Sequence, residues 1–190
     1  MPSYKLTYFH LTGLAEPIRL LFSYAGIDFV DEPMPFGKVP VLEVDGKRIH
    51  QSVAIGRYVA KQCGLAGKND LESLEIDSTV DTIQELLENI YVNYVRAKEQ
   101  KLEIVDETVS YYLERLDAQV KRNGGYFVGG ALTWADLTFV GVLDYMNFLT
   151  KENVVEKYEN LKQLRKKVEE IPAIKSWIEK RPPTLYENYM

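Results

Sequence analysis

An amide and a hydroxyl side chain stand together at Gln51-Ser52, between a β-hairpin pattern and a helical pattern. A helix N-terminus carries about half a positive charge and free N–H groups, so it attracts a carboxylate. Ser52 could donate its hydroxyl, and Gln51 its side-chain amide, to that carboxylate. The pair therefore suits the α-carboxylate and α-amino end of a small peptide. Serine is also a common N-cap, so plain capping by Ser52 stays open.

Tyr8 and Val39-Pro40 are the other residues of the N-terminal third that could do chemistry. The phenol of Tyr8, with an ordinary pKa near 10, would act as a neutral hydrogen-bond donor and not as a base. Tyrosine is also an ordinary core residue of strands. Pro40 either opens an edge strand, or follows a cis bond that leaves the backbone of Val39 to pair with an extended peptide.

The first third of the chain has the pattern needed to bring these residues together. Alternation predicts strands over residues 4–9 and 27–32, with a helix over 16–26 between them. Asp45-Gly46 is a strong hairpin signal between strands 39–44 and 47–49, and a helix follows over 52–62. An open α/β sheet binds ligands beyond the carboxyl ends of its strands. We therefore expect Tyr8, Val39-Pro40 and Gln51-Ser52 to converge.

The rest of the chain has helical periodicity. Helices are predicted over residues 71–94, 106–123, 134–149, 160–170 and 173–180, and Thr133 to Asp136 has a capping-box pattern. The predicted architecture is an α/β domain, residues 1–66, followed by an all-helical domain, residues 67–190.

Composition excludes several classes of protein. The 190 residues carry a net charge of −5, which argues against a nucleic-acid partner. The longest apolar runs are too short for membrane insertion, and the N-terminus has no signal-peptide pattern. Cys63 is the only cysteine, and His10 and His50 lack metal-ligand spacing. We expect a cytoplasmic protein with no disulfide and no metal.

Five segments, in the same order, give the chain a resemblance to the sigma-class cytosolic glutathione transferases of insect type. This resemblance implies a thioredoxin-like first domain, a helical second domain, a homodimer, glutathione as co-substrate and a cis Val39-Pro40 bond. The segments are "MPSYKLTYF", "MPFGKVPVLEVDGKRIHQSVAIGRYVAK", "LEIDSTVDTIQEL", "GGALTWADLTF" and "IPAIKSWIEKRPPT".

The resemblance also implies roles for individual residues. Tyr8 matches the catalytic tyrosine, and Val39, before Pro40, matches the residue whose backbone pairs with the cysteinyl part of glutathione. Gln51 and Ser52 match the pair that holds the γ-glutamyl end. Glu85 stands where the family sends an acidic residue, more usually Asp, toward glutathione in the partner subunit.

Two departures from the family pattern matter. The family has a further segment before "MPFGKVP", with a tryptophan and a lysine for the glycyl carboxylate, whereas here Pro33 runs straight into Met34. Either the segment is deleted, or it is a mobile loop missing from the printed residues, and the mobility of loops beside binding sites favours the second explanation. With a deletion, glycyl recognition falls to Lys38 and backbone groups.

Leu14 replaces the arginine of members that isomerise prostaglandin, which disfavours that activity.

The expected function is activation of the glutathione thiolate for attack on small hydrophobic electrophiles, with lipid hydroperoxides as further substrates. A non-catalytic glutathione-binding or lens-crystallin-like protein is the alternative, because fold alone does not imply function. We expect the electrophile between the loop after the first strand and the start of the helical domain. The candidate wall residues are Phe9, Leu11, Leu14, Leu87 and Tyr91.

Overall fold

The computed structural model describes residues 2–34, 38–93 and 103–186, without the side chains of residues 103–106. In these residues a four-stranded sheet is followed by a bundle of helices. The strands are β1 Tyr4–Tyr8, β2 Val30–Pro33, β3 Val41–Val44 and β4 Lys47–His50, and the helices are α1 Glu16–Ala25, α2 Ser52–Gln62, α3 Asp70–Tyr91, α4 Glu103–Arg122, α5 Trp134–Thr150, α6 Glu159–Glu169 and α7 Pro172–Lys180. A 3₁₀ turn, Gly13–Ala15, precedes α1.

The sheet has the strand order β2-β1-β3-β4, with β1 parallel to β2 and antiparallel to β3. The predicted β-α-β unit followed by a β-β-α unit is therefore confirmed. β3 and β4 are antiparallel around Asp45 and Gly46, which both have positive φ, of 49° and 83°. That conformation is the one an Asp-Gly hairpin turn adopts. β1 ends at Tyr8, one residue earlier than predicted, and β3 begins at Val41.

α5 packs directly against α1 of the sheet domain and against α3. A side chain at Gly141 would lie 2.7 Å from the backbone nitrogen of Pro17, so the absence of one permits the close approach of α5 to α1. This packing brings the loop after β1 against the helical domain. Large buried side chains of the shared core include Phe22, Ile83 and Trp134.

The helix starts and ends follow local signals. Thr133 and Asp136 form the predicted capping box at the start of α5. Asn69 caps α3 by accepting the Glu72 backbone N–H at 3.0 Å. The predicted helix 71–94 corresponds to α3, and Tyr94 lies outside the described residues. In the described part of the chain, no helix has the length and apolar character needed to cross a membrane.

The connection between β2 and Lys38 is short. The backbone runs continuously from Pro33 to Met34, whose N–H donates to the carbonyl of Tyr8 at 2.9 Å. This bond holds Met34 beside the end of β1. The absence of the family segment as a mobile loop missing from the printed residues stays a prediction.

Candidate active site

Three segments meet at one edge of the sheet because of strand register. Val41 pairs with Thr7 of β1 and with His50 of β4. Val39-Pro40, Tyr8 and Gln51 are the next residues beyond these pairs, so they lie side by side at the edge where β1 and β4 end. The Val39-Pro40 bond is cis, as the resemblance implies.

Tyr8 is buried at this edge with its hydroxyl under the following loop. Its oxygen accepts the Leu14 backbone N–H at 3.0 Å. A side chain at Gly13 would lie 2.6 Å from that hydroxyl, and Gly13 has a φ of 45°, so the tight approach of the loop suits glycine. A phenol that accepts one hydrogen bond still has its own proton to donate.

Burial raises the pKa of Tyr8, and the Leu14 N–H and the Arg19 guanidinium partly oppose that rise. The raised pKa keeps the phenol neutral at physiological pH, where it can donate a hydrogen bond but does not act as a base.

Gln51 and Ser52 do not form a simple cap. Gln51 is itself the N-cap of α2, its side chain makes no capping hydrogen bond, and Ser52 is the first helical residue. The structure therefore does not have the plain N-capping by Ser52 that the sequence left open. Gln51 has a φ of 78° and a ψ of 106°. A non-glycine residue in such a conformation costs about 1–3 kcal/mol, and such residues cluster at functional sites.

A cleft of about 270 Å³ opens beside Tyr8, between the loop after β1 and helices α3 and α5. Its described lining has apolar, phenolic and polar members: Tyr8, Leu14, Gln84, Leu87, Glu88, Tyr91 and Tyr145. Three of the candidate wall residues, Leu14, Leu87 and Tyr91, thus lie together.

Tyr145 of α5 was missed by the sequence reasoning. Burial, together with the neighbouring Tyr8 and Tyr91, raises the pKa of Tyr145 to about 12. Three phenols, those of Tyr8, Tyr91 and Tyr145, therefore face one cleft. Tyr145 lies within the apolar run of α5, so its sequence context did not indicate that its side chain lines the cleft.

Phe9 and Leu11 lie elsewhere. Phe9 follows the end of β1 and lines a second, smaller cavity of about 50 Å³ together with Glu16, Arg19 and Trp177. Leu11 is a core residue that also borders this cavity. In the described structure, neither Phe9 nor Leu11 lines the cleft beside Tyr8.

Glu85 lies on a different face of α3 from the cleft residues. It is exposed and accepts the Tyr112 hydroxyl of α4 at 3.3 Å, while its neighbour Gln84 lines the cleft. Burial, followed by Glu85 itself, raises the pKa of Tyr112. Glu85 therefore makes no part of the cleft of its own chain.

Lys38 is exposed next to Val39. Among the described residues no group of three or more His, Cys, Asp or Glu side chains could hold a metal ion.

Comparison with known proteins gives the family. Residues 31–61 match the glutathione S-transferase N-terminal domain, and residues 80–181 match the glutathione S-transferase C-terminal domain. A glutathione S-transferase of Anopheles gambiae is 43% identical, over 97% of this chain and 99% of its own length. The hematopoietic prostaglandin D synthase of Gallus gallus is 41% identical over 97% of this chain and 99% of its own. The solved structure of prostaglandin synthase D of Nilaparvata lugens superimposes with a TM-score of 0.83 at 39% identity, covering 95% of this chain and 99% of the other.

The chain therefore belongs to the glutathione S-transferase family. These matches confirm the prediction of a glutathione-transferring enzyme with a thioredoxin-like first domain and a helical second domain. Members of this family use glutathione as co-substrate. The alignment with the Anopheles gambiae protein spans 201 positions, so that relative carries residues with no counterpart in the 190 printed residues.

Proposed function

We propose that the chain is a sigma-class glutathione transferase in which Tyr8 stabilises the glutathione thiolate by donating a hydrogen bond to its sulfur. The observation that carries the proposal is a buried, neutral Tyr8 hydroxyl placed where the sheet edge meets the cleft. A free thiol has a pKa near 8.5, and lowering it by about two units requires about 2.7 kcal/mol. A hydrogen bond to a charged acceptor contributes about 1.5–3 kcal/mol.

Glutathione would lie along the sheet edge. Gln51 and Ser52 at the start of α2 would hold the γ-glutamyl end, where free helix N–H groups favour a carboxylate. The backbone of Val39, set by Pro40, would pair with the cysteinyl part as an added strand does. With the family's glycyl-binding segment deleted between Pro33 and Met34, the glycyl end would fall to Lys38 and to backbone groups.

The active assembly would be a cytoplasmic homodimer in which Glu85 reaches the γ-glutamyl end of glutathione in the partner subunit. Its support is the exposed position of Glu85, outside the cleft of its own chain. Leu71 and Leu74 of α3 are also exposed, at 65% and 64%. Exposed apolar side chains on one helix suit a protein interface.

The electrophile would occupy the cleft between Leu14, Leu87 and Tyr91. The apolar wall suits small hydrophobic electrophiles, and the phenols of Tyr91 and Tyr145 suit a polar acceptor group such as a carbonyl or a hydroperoxide. Lipid hydroperoxides are therefore proposed as further substrates.

Isomerisation of a prostaglandin-type endoperoxide is the second candidate, because several relatives are prostaglandin D synthases. The charge of the cleft counts against it. Among the described lining residues none is a cation, and Glu88 is an anion, which disfavours a substrate with a carboxylate.

The domain boundary is also part of the proposal, with residues 1–66 holding glutathione and residues 67–190 carrying part of the electrophile cleft. The segment between α2 and α3 contains Gly64 and Gly67, both with positive φ. Domain boundaries commonly fall in such short, glycine-containing connections.

The test is turnover of the purified protein with glutathione and three substrates: an aryl halide, a lipid hydroperoxide and a prostaglandin endoperoxide. We expect conjugation of the first and reduction of the second, with little isomerisation of the third. A glutathione analogue with alanine in place of cysteine should inhibit competitively. Binding of glutathione without turnover would support the non-catalytic alternative.

A further inference from the structure

Arg19 of α1 is a buried cation beneath the site, and neither the sequence patterns nor the proposed glutathione contacts explain it. Its side chain is 8% exposed. Its guanidinium carbon lies 5.8 Å from the centre of the Tyr8 ring. A buried arginine is uncommon and needs partners for its charge and its donors.

The partners of Arg19 include the loop that covers Tyr8. Its Nη1 donates to the carbonyl of Leu11 at 2.9 Å and to that of Thr12 at 3.5 Å. Two residues later in the same loop, Leu14 donates its N–H to the Tyr8 hydroxyl. Arg19 therefore holds the backbone that sets the position of this hydrogen bond.

Two carboxylates accept hydrogen bonds from the guanidinium. Its Nε donates to Asp31 of β2 at 3.0 Å, and its Nη1 donates to Glu16 at 3.2 Å. Glu16 in turn accepts Nε1 of Trp177 at 2.9 Å and Nη1 of Arg181 at 2.6 Å. The forked geometry of arginine suits several simultaneous acceptors, which a lysine cannot serve in the same way.

We propose that Arg19 is a positioning residue for the reaction, which fixes the loop over Tyr8 and sets how strongly the Tyr8 hydroxyl donates to the glutathione sulfur. This inference rests on the proposed role of Tyr8. Arg19 acts through Tyr8 and the loop, and not by touching a substrate.

The charges around Tyr8 fit this role. Arg19 is the cation that lowers the pKa of Tyr8 against the effect of burial. The other titratable groups that line the two cavities beside Tyr8 are His10 of the loop, Glu16 of α1, Asp31 of β2, Glu88 and Tyr91 of α3, Tyr145 of α5, and Arg181 after α7. A cation over a phenol ring draws electron density from it, so the hydroxyl becomes a better hydrogen-bond donor.

The test is the pKa of the thiol of bound glutathione, read from the thiolate absorbance, in Arg19 variants. We expect Arg19→Met to raise this pKa by about one unit, which is a tenfold smaller thiolate fraction in the range where the thiol titrates. Arg19→Lys keeps the charge but not the fork. Arg19→Lys should therefore raise the thiol pKa by less than Arg19→Met does, and it should speed hydrogen exchange of the Leu14 amide.

Arg57 provides the matched control. Its guanidinium carbon lies 5.6 Å from the Trp134 ring centre, and its Nε donates to Asp77 at 2.8 Å. Arg57→Met thus removes a similar ion pair and ring contact on another helix of the same domain. It should lower the melting temperature and leave the thiol pKa unchanged.

A double-mutant cycle separates this inference from the proposed function. In a Tyr8→Phe background, Arg19→Met should change kcat/KM by less than about twofold, because the group through which it acts is gone. If Tyr8→Phe alone leaves turnover unchanged, the proposed role of Tyr8 fails. If Tyr8→Phe lowers turnover but folded Arg19→Met shows the parent thiol pKa, only the role of Arg19 fails. Should Arg19→Met not fold, unchanged thiol pKa and Leu14 exchange in Arg19→Lys would overturn the inference.

Discussion

The sheet edge and the cleft meet at Tyr8, but they are built from different kinds of parts. At the edge, strand register alone puts Tyr8, Val39-Pro40 and Gln51 side by side. In the cleft, side chains come from a loop and from two helices far apart in sequence. The edge presents backbone groups and the start of a helix, which suit one constant ligand. The cleft presents exchangeable side chains, so its ligand can differ while the edge stays the same.

The largest expected effect falls where the two regions meet. Removing the donor with Tyr8→Phe should lower kcat by about tenfold to a hundredfold, by comparison with about 10²–10³ for removal of one oxyanion donor. Glutathione binding should change little. Steady-state kinetics and calorimetry measure the two quantities.

Tyr4→Phe is the matched control for this change, because Tyr4 is a buried tyrosine at the other end of β1. Tyr4→Phe should leave kcat unchanged. Equal losses in both variants would mean that strand packing, and not hydrogen-bond donation, is what Tyr8 provides.

A smaller effect is expected at the edge alone. Ser52→Ala should weaken glutathione binding by about tenfold to a hundredfold, since a hydrogen bond to a charged group contributes about 1.5–3 kcal/mol. The melting temperature should hardly move, because Ser52 is not the N-cap. Calorimetric titration and thermal unfolding test both points. Unchanged affinity with a lower melting temperature would assign Ser52 to helix stability.

In the cleft, Tyr145→Phe should change selectivity more than glutathione affinity. Loss of one neutral hydrogen bond, about 1 kcal/mol, predicts about a fivefold loss of kcat/KM for hydroperoxides or unsaturated carbonyls. Aryl halides, which need no such donor, should be turned over as before. A uniform loss for all electrophiles would show that Tyr145 supports the cleft structurally and does not select substrates.

The smallest effect on chemistry is expected deep in the helical domain, at Asp136. Burial raises the pKa of its carboxyl to about 6 from an ordinary 3.8, against the hydrogen bonds from Phe127 and Thr133. The folded state thus binds a proton more tightly than the unfolded state, so the contribution of Asp136 to the free energy of unfolding falls as pH rises from about 4 to 6. Below about pH 4 the Asp136 carboxyl is protonated in both states, so no buried charge destabilises the folded state.

Thermal unfolding across this pH range tests the prediction against Asp136→Asn, which does not titrate. The stability of the parent relative to the variant should increase as pH falls from 7 to 4. The thiol pKa of bound glutathione should be the same in both proteins. A constant difference in stability would mean that Asp136 titrates normally.

The sequence predicted the arrangement of the sheet edge but not that of the cleft. The Asp-Gly turn and the alternation of β3 and β4 placed Gln51 at the sheet edge, because hairpin register is a local property. Tyr145 could not be placed, since its position depends on the packing of α5 on α1, which Gly141 and Pro17 permit. Arg19 looked like an ordinary helix arginine, and only tertiary contacts with Leu11 and Asp31 give it a role.

The central claim is that Tyr8 stabilises the thiolate of bound glutathione. Its most direct test is an ultraviolet difference titration of the protein with glutathione, from acid to neutral pH, which reads the thiolate band. The account predicts that the bound thiol ionises with a pKa about two units below the free value near 8.5. A bound thiol that ionises near the free value would contradict the account, and the protein would then hold glutathione without activating it.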